Sequence, residues 1–263
     1  MSAIKQGNAG CAIVTGAAGG IGLAAARQLA SQGFSVFLVD RDEAGLQSAL
    51  ENVKAAGANA TACVADVTST EQVNAAVKAA AEWGRINALV NVAGGSGPKR
   101  VRDIEGIDDT DWDFVINLNL KSVFLFCRAV VPHMRAQRYG RIVNTSSSYS
   151  RGRKGPVTTQ GTRLAYAAAK AGIIGFGAQL SKDVADCGIT VNTVVPALTL
   201  GEPGSRIRSR FEKLPDATRN AVLSELPMGR PAEAYEVAAA IGFLASESAS
   251  HVSGIALPVD GAL

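Results

Sequence analysis

The sequence predicts an α/β fold, with a doubly wound parallel sheet of about seven strands flanked by helices in a single domain over residues 1–263. Apolar, β-rich segments alternate with longer amphipathic segments, which predicts right-handed crossovers and a parallel sheet. The strands are almost continuously apolar, as in Phe37-Leu38-Val39, which indicates a sheet covered on both faces. No linker composition divides the chain.

The predicted elements follow one another along the chain with three long breaks. The strands are Cys11–Val14, Phe34–Val39, Thr61–Ala65, Ile86–Val92, Arg141–Thr145, Ile189–Val195 and Ile255–Val259. The helices are Gly20–Gln32, Ala44–Ala56, Ser69–Trp83, Asp111–Gln137, Leu164–Cys187 and Glu233–Ser246. The breaks are Gly94–Asp108, Ser148–Arg163 and Ala197–Pro227.

Two segments are expected to lie outside this regular pattern. Residues 1–10 are polar and are expected to form a flexible lead into the first strand. Residues 197–227 contain no strand pattern and are expected to form a mobile lid over the site. A plain surface excursion is the alternative for residues 197–227.

Composition excludes several functional classes. The formal charge of +3, without interleaved aromatic and basic residues, does not indicate nucleic-acid binding, and no apolar run has the length of a membrane span. The four cysteines form no C-x-x-C pair and the two histidines are isolated, which predicts reduced core thiols and no metal site. A cytoplasmic location is therefore expected.

A glycine-rich turn between the first strand and the first helix indicates nucleotide binding. Its glycines are spaced as G-x3-G-x-G, so the backbone can approach a pyrophosphate, which the positive end of the helix attracts. A tight strand–helix turn without a ligand is the alternative. In a Rossmann-type sheet, the expected cofactor contacts here are Thr15, Gly16, Gly20, Ile21 and Gly22.

Asp40 ends the second predicted strand and indicates which dinucleotide is preferred. A carboxylate there accepts hydrogen bonds from ribose hydroxyls and repels a 2′-phosphate, which favours NAD over NADP. Arg41 is the adjacent residue that argues for NADP, and a helix N-cap is the structural alternative for Asp40. Further cofactor contacts are expected where later strands end, at Asp66, Val67, Asn91, Ala93 and Gly94.

Tyr166 and Lys170 lie four positions apart in an Ala-rich helical segment. Residues at this spacing share one face of a helix. A nearby cation lowers the pKa of a phenol, so the pair is a candidate general acid/base set for interconverting a carbonyl and an alcohol. A solvated helix face is the alternative for this pair taken alone.

These motifs together resemble the single-domain branch of the short-chain dehydrogenase/reductase family. The similarity covers roughly Ala12 to Gly261. It includes Thr15–Gly22, Asp40, Asp66-Val67, Asn91–Gly94, Asn117–Leu120, Asn144–Ser147, Tyr166–Lys170, Gly188–Asn192, Pro196, Phe243–Ser246 and Val259–Gly261.

The resemblance implies a catalytic role for each matched residue. Tyr166 is the implied general acid in reduction, and Lys170 lowers its pKa and binds the nicotinamide ribose. Ser147 is the implied hydrogen-bond donor to the reacting oxygen, with Ser146 and Ser148 as neighbouring alternatives.

Other matched residues have implied supporting roles. Asn119 resembles the asparagine that kinks the fourth helix and holds a water of the proton relay, with Asn117 as its rival. Pro196 and Thr199 are implied cofactor contacts. Gly201 stands where a threonine that contacts the cofactor carboxamide is common, so Thr199 is expected to substitute for it.

The implied function is an NAD-dependent oxidoreductase that interconverts a secondary alcohol and a ketone without a metal. The alternatives are a 3-oxoacyl-thioester reductase, which Asp40 disfavours because such enzymes usually prefer NADPH, and a catalytically idle dinucleotide-binding sensor. An enoyl reductase is disfavoured because that branch separates tyrosine and lysine by more than four positions. The resemblance also implies a homotetramer, with helices Asp111–Gln137 and Leu164–Cys187 as candidate interfaces.

Basic residues in the three breaks suggest an anionic substrate, with ordinary solvated surface as the alternative. They are Lys99, Arg100, Arg102, Arg151, Arg153, Lys154, Arg163, Arg206, Arg208 and Arg210.

Overall fold

The computed structural model describes residues 10–97, 103–152 and 163–263. Apart from Gly10, the predicted flexible lead therefore lies outside the described residues. So do five of the basic residues expected near the substrate, namely Lys99, Arg100, Arg102, Arg153 and Lys154.

Strands and helices alternate as the sequence predicts. The strands are β1 Cys11–Thr15, β2 Ser35–Asp40, β3 Ala60–Val64, β4 Ile86–Asn91, β5 Gly140–Thr145, β6 Ile189–Pro196, β7 Thr199–Leu200, β8 Ala232–Glu233 and β9 Ala256–Val259. The helices are α1 Gly20–Ser31, α2 Glu43–Ala55, α3 Thr70–Trp83, α4 Asp109–Ile116, α5 Ser122–Gln137, α6 Arg163–Val184, α7 Arg206–Glu212, α8 Asp216–Ser224 and α9 Ala234–Ala245.

Seven strands form one parallel sheet in the order β3-β2-β1-β4-β5-β6-β9, which confirms the predicted Rossmann-type fold. The chain reverses its direction of winding between β1 and β4. Ligands bind at such a switch point, outside the carboxyl ends of the strands. The glycine turn and the ends of β2, β4 and β5 all lie along this edge.

Alternate residues of the strands enter two separate hydrophobic cores. In β1, Ala12 and Val14 belong to the core that contains α1, α2 and α9 residues, whereas Cys11 and Ile13 belong to the core that contains α3, α5 and α6 residues. Both faces of the sheet are therefore covered. Burial on both faces explains why the strands are almost continuously apolar.

The predicted helix Asp111–Gln137 is not one uninterrupted α-helix. The structure begins the helix at Asp109 and inserts a π-helical turn, Asn117–Lys121, between α4 and α5. By length and composition the run Asp109–Gln137 could cross a membrane. However, Val123, Leu125 and Phe126 are buried in the second core, so it is a core helix here.

The prediction that residues 197–227 contain no strand is wrong. Thr199–Leu200 forms β7, which pairs in parallel with β8 at Ala232–Glu233. A two-residue strand has no detectable periodicity, so the sequence pattern could not reveal it. The remainder of the segment carries α7 and α8.

Candidate active site

Close backbone contacts explain the glycines of the turn after β1. Gly16 has a φ of +68°, and a Cβ there would lie 2.8 Å from the backbone nitrogen of Ala93. A Cβ on Gly22 would lie 2.0 Å from the carbonyl oxygen of Gly16. By contrast, Cβ atoms on Gly19 and Gly20 would meet nothing within 4 Å. The first residues of α1 therefore face open space, as a pyrophosphate site at a helix N-terminus requires.

Thr15 fastens this turn to the end of β4. Its hydroxyl oxygen accepts hydrogen bonds from the backbone nitrogens of Val92, at 3.1 Å, and Ala93, at 3.2 Å. The side chain of Thr15 is buried, so its role is to hold two loops together. These two loops form the switch-point crevice between β1 and β4.

Asp40 lies beside the glycine turn and is not the cap of α2. Its Oδ2 accepts a hydrogen bond from the backbone nitrogen of Ala18 at 3.1 Å, and its Oδ1 accepts one from Asp42 at 3.1 Å. Asp42 caps α2 by accepting from Gly45. The carboxylate of Asp40 is thus fixed at the edge where a ribose would lie.

Asp66 stabilises the loop after β3. Its Oδ1 accepts hydrogen bonds from the backbone nitrogen and the hydroxyl of Thr68, both at 2.8 Å. Burial alone would raise the pKa of Asp66, but the Thr68 hydrogen bonds and the charge of Arg41 hold that pKa below its usual value. Val67 beside it is buried.

Asn91 is placed differently from the other predicted cofactor residues, because its side chain is buried in the sheet. Its Nδ2 donates to Asn144 Oδ1 at 2.9 Å and contacts the sulfur of Cys127 at 3.7 Å. These contacts tie β4 to β5 and α5 beneath the crevice. Only the backbone of Asn91 is in a position to help shape the cofactor site.

The π-helical turn directs Asn119 toward the loop after β4. Its side-chain nitrogen donates to the carbonyl oxygens of Gly95 and Val115, both at 2.8 Å, and its oxygen accepts from the nitrogen of Gly95 at 3.1 Å. A Cβ on Gly94 would lie 2.6 Å from Asn119 Oδ1 and 3.2 Å from Lys170 Nζ. A glycine at position 94 therefore allows the loop after β4, the π-helical turn and α6 to approach one another closely.

The serines after β5 have different hydrogen-bond partners. Ser146 is buried and donates to the carbonyl oxygen of Lys170 at 2.7 Å. The hydroxyl of Ser147 accepts from the backbone nitrogen of Tyr149 at 3.3 Å and lies close enough to the phenol of Tyr166 to lower the pKa of that phenol. Of these two neighbouring hydroxyls, that of Ser147 faces the candidate acid/base residue.

Lys170 and Tyr166 lie on the same face of α6, with the ammonium 5.6 Å from the centre of the phenol ring. Lys170 is 3% exposed and donates to the carbonyl oxygen of Thr145 at 2.8 Å. Burial lowers the pKa of Lys170 from 10.5 to about 7. The lysine is therefore close to its titration midpoint at neutral pH.

The expectation that Lys170 lowers the pKa of Tyr166 is not met in this structure. Burial raises the pKa of the Tyr166 phenol above its usual value, the hydrogen bond from Ser147 opposes that rise, and nearby Tyr149 adds to it. A buried lysine that is easily deprotonated provides little fixed positive charge. A partner that stabilises the ammonium form would restore the expected effect.

Tyr149 is a further residue of this cluster, and the sequence reasoning missed it. Its ring contacts that of Tyr166 edge to face, with 6.2 Å between the ring centres. Its position two residues after Ser147 was the available signal. A partly buried aromatic side chain here forms one wall beside the phenol.

Pro196 and Thr199 lie at the end of β6 and in β7. Thr199 is 6% exposed, and its hydroxyl already donates to the carbonyl oxygen of Ala197 at 3.1 Å. Pairing of β7 with β8 fixes this stretch against the start of α9. The hydroxyl of Thr199 is therefore engaged within its own loop.

The site residues fit a nicotinamide dinucleotide. An open helix N-terminus at Gly19 and Gly20 and the fixed carboxylate of Asp40 lie along one edge of the sheet. When bound, the dinucleotide supplies or accepts a hydride. Within residues 10–97, 103–152 and 163–263, no group of three or more His, Cys, Asp or Glu side chains could hold a metal ion.

A separate groove of about 510 Å³ lies between α3 and α5 and is distinct from this site. Its lining residues are Asn74, Val77, Lys78, Ala81, Glu82, Ala129 and His133. None of them is a predicted site residue. The carboxyl edge of the sheet, where the acid/base cluster lies, is therefore the candidate active site.

Comparisons with known proteins agree with this geometry. The profile of the short chain dehydrogenase family matches residues 10–210. The chain is 39% identical to the ketoacyl reductase named for the monensin polyketide synthase of Streptomyces virginiae, over 99% of each chain. It is 37% identical to a 3-oxoacyl-(acyl-carrier-protein) reductase of Thermotoga maritima, over 95% of this chain and 96% of the relative.

Solved structures give the same result. An actinorhodin polyketide ketoreductase variant solved with NADPH superposes with a TM-score of 0.84 and 32% identity, covering 96% of each chain. Levodione reductase superposes with a TM-score of 0.87 and 31% identity, covering 97% of each chain. The chain therefore belongs to the short-chain dehydrogenase/reductase family and is an oxidoreductase acting on ketone or CH–OH groups.

Proposed function

We propose that this protein is a ketoreductase in which Tyr166 is the general acid and Ser147 and Lys170 assist it. The observation that carries the proposal is the meeting of Tyr166, Ser147 and Lys170 at the carboxyl end of β5. The Lys170 ammonium lies 5.6 Å from the centre of the phenol ring, and the neighbouring Ser147 hydroxyl lowers the pKa of the phenol. This arrangement places a proton donor and a second hydroxyl beside one position for a carbonyl oxygen.

Each side chain has a distinct task in this proposal. Tyr166 gives its proton to the oxygen of the ketone as the alkoxide forms, and Ser147 donates a second hydrogen bond to that oxygen. Lys170 binds the nicotinamide ribose hydroxyls, which as acceptors favour its ammonium form. Asn119 holds the loop at Gly95 in place. It also contributes to the path by which Tyr166 regains the proton it has donated.

We further propose that the cofactor is NAD(H). Asp40 is held against the glycine turn by the nitrogen of Ala18, where its charge opposes a 2′-phosphate. Arg41, the residue that favours NADP, interacts with Asp66. NADP(H) is the second candidate, because the actinorhodin ketoreductase of similar structure was solved with NADPH.

The cofactor preference can be tested by comparing kcat/KM for NADH and NADPH in the wild type and in Asp40→Ser. We expect the wild type to prefer NADH, and the substitution to reduce that preference by about tenfold or more, since hydrogen bonds to a charged group are lost. A wild-type preference for NADPH would overturn the assignment and leave the ketoreductase proposal intact.

For the substrate, the relatives favour a 3-oxoacyl thioester or a polyketide-type ketone, and we propose this class for the present chain. The relatives named for these substrates cover almost its whole length. This choice revises the expectation from Asp40, because cofactor preference does not determine which ketone enters the pocket. A sugar, polyol or cyclic ketone is the competing class.

We also propose that the substrate carries an anionic group. Fewer arginines than the sequence suggested are free to bind such a group. Arg151, Arg206 and Arg210 are exposed. Arg208 is bound to Glu233 and to the carbonyl oxygen of Gly201, so it is engaged within the protein. A ketoacid compared with its neutral ester at low salt tests the idea, and equal kcat/KM values would remove it.

The proposal as a whole is tested by a panel of 3-oxoacyl thioesters, ketoacids and cyclic ketones with both cofactors. We expect turnover of at least one thioester, and loss of about 10²–10⁴-fold in Tyr166→Phe with cofactor binding retained. Cofactor binding without turnover of any ketone or alcohol would instead favour a non-catalytic sensor.

Two further properties are proposed from the family alone: a cytoplasmic location and a homotetramer. The exposed aromatic side chain of Phe124 on α5 packs edge to face on Phe176 of α6, at 6.5 Å between ring centres. These helices are the predicted interfaces, and a mass measurement in solution tests the assembly.

A further inference from the structure

One buried hydroxyl beside the glycine turn has no partner. The Oγ atom of Ser205 is buried and accepts or donates no hydrogen bond within the described part of the chain. Ser205 immediately precedes α7, but its side chain does not cap that helix. Buried hydroxyls in folded proteins are almost always paired, so an unpaired one requires an explanation.

The position of Gly201 shows where this hydroxyl lies. A Cβ on Gly201 would be 2.9 Å from Ser205 Oγ and 2.8 Å from the Cα atom of Gly20. Gly20 is the first residue of α1. Ser205 Oγ and the Cα atom of Gly20 therefore both lie within 2.9 Å of the point that a Cβ at position 201 would take, which puts the hydroxyl near the backbone that would hold a pyrophosphate.

We infer that Ser205 donates a hydrogen bond from its hydroxyl to the pyrophosphate of the bound dinucleotide. The inference rests on the proposed cofactor site and adds to it a residue from the segment between β7 and α7. Phosphate oxygens are strong acceptors and complete the pairing that the protein leaves open. Thr199, which the sequence suggested as a contact for the cofactor carboxamide, donates its hydroxyl to the carbonyl oxygen of Ala197 instead.

Arg208 holds the segment that carries this hydroxyl. Its Nε donates to the carbonyl oxygen of Gly201 at 2.6 Å, and its guanidinium is hydrogen-bonded to Glu233, in β8. Glu202, which directly follows Gly201, forms an ion pair with Arg27 of α1, with 2.5 Å between Oε1 and Nη1. These contacts hold the segment around Gly201 against β8 and α1. Arg208 is therefore a positioning residue for the Ser205 contact.

The test compares dinucleotide binding, measured by fluorescence or calorimetry without substrate, in Ser205→Ala and in Ser224→Ala. Ser224 is an exposed serine of α8, and its hydroxyl donates to the carbonyl oxygen of Ala221 in the same helix. It is therefore the matched control. We expect Ser205→Ala to weaken NADH and ADP-ribose binding by about tenfold. Ser224→Ala should leave both affinities unchanged.

Thermal unfolding separates a binding role from a structural one. Removing an unpaired buried hydroxyl should leave stability unchanged or slightly raised, so lower affinity together with unchanged stability supports the inference. Arg208→Gln should also weaken NADH binding, whereas Lys213→Gln, at an exposed cation that immediately follows the same helix, should not.

Three results would overturn the inference. They are unchanged affinity for both ligands in Ser205→Ala, weakened binding of NADH but not ADP-ribose, and an equal effect of Ser224→Ala. Failure of the wild-type protein to bind either NADH or NADPH is a different outcome, because it would contradict the proposed function itself.

Discussion

Two buried cations near β5 differ in how completely the protein neutralises them. Arg141, at the amino end of β5, and Lys170, near its carboxyl end, are each 3% exposed. Arg141 donates to the carbonyl oxygens of Gly140 and Gly188 and lies 3.4 Å from the carboxylate of Glu247. The side-chain ammonium of Lys170 makes one hydrogen bond in the described structure, to the carbonyl oxygen of Thr145.

The aromatic neighbours reinforce this difference. The guanidinium of Arg141 lies over the ring of Tyr139, 4.4 Å from its centre, and Tyr139 hydrogen-bonds Glu247. Burial and this carboxylate raise the pKa of Tyr139 to about 12, so it is a fixed neutral phenol. Lys170 instead has its pKa lowered to about 7 by burial. The Arg141 cation has two carbonyl acceptors, a carboxylate and an aromatic ring as neighbours, although its buried Nε has no hydrogen-bond partner within the described residues. The Lys170 ammonium has one carbonyl acceptor and no carboxylate partner among the described residues, so more of its donors are open to a ligand.

The largest expected effect comes from Lys170→Met. We expect kcat/KM to fall by about 10²–10⁴-fold, because the cation that assists Tyr166 is lost. The free energy of unfolding should change little, since the loss of the donor to the Thr145 carbonyl oxygen opposes the gain from removing a poorly compensated buried charge. Activity assays and urea unfolding measure the two quantities. If Lys170→Met kept its activity but became less stable, Lys170 would be a structural cation like Arg141.

A smaller loss is expected at the serines that flank this cation. Ser147→Ala should lower kcat by about 10²–10³-fold, as removal of one donor to a developing oxyanion does. Ser146→Ala should cost about 1 kcal/mol of stability through its bond to the Lys170 carbonyl and leave kcat near that of the wild type. Steady-state kinetics decide the assignment, and a larger kcat effect at Ser146 would reverse it.

The opposite behaviour is expected of Arg141→Met. It should lower the free energy of unfolding by about 1–3 kcal/mol, because buried carbonyl oxygens lose their donor. Activity per folded molecule should remain at the wild-type value, since the residue lies at the opposite edge of the sheet. Urea unfolding and active-site titration measure these effects. A selective loss of kcat would show that the two edges are coupled.

Sequence reasoning predicted the elements whose signals are local. The sheet with its strand–helix alternation, and Asp40 at the end of β2, follow from patterns within short segments. The family resemblance predicted a kink of the long helix at Asn119, but its form as a π-helical turn could not be predicted, because it depends on hydrogen bonds to Gly95, 24 residues away.

Other features depend on tertiary packing and could be seen only in the structure. The contact of Tyr149 with Tyr166 and the unpaired hydroxyl of Ser205 both depend on how distant segments meet. The direction of the Tyr166 pKa shift is set by a balance between burial and charge, and spacing on a helix supplies only one side of that balance.

The most direct test of the account is proton uptake by Lys170 when NADH binds, measured by calorimetry in buffers of different ionisation enthalpy. In the free protein the lysine is mostly neutral above its pKa of about 7, and the ribose acceptors favour the charged form, so binding should raise that pKa.

The sign of the pH dependence follows from this shift. Affinity should be constant below about pH 7 and should fall as the pH rises above it, with uptake of up to about one proton per site. The same titration of Lys170→Met should show no uptake. The central claim is that Lys170 takes up a proton to bind the dinucleotide. It would be contradicted if the wild-type protein took up no proton at a pH between the free and bound pKa values of Lys170, or if Lys170→Met took up as many protons as the wild type.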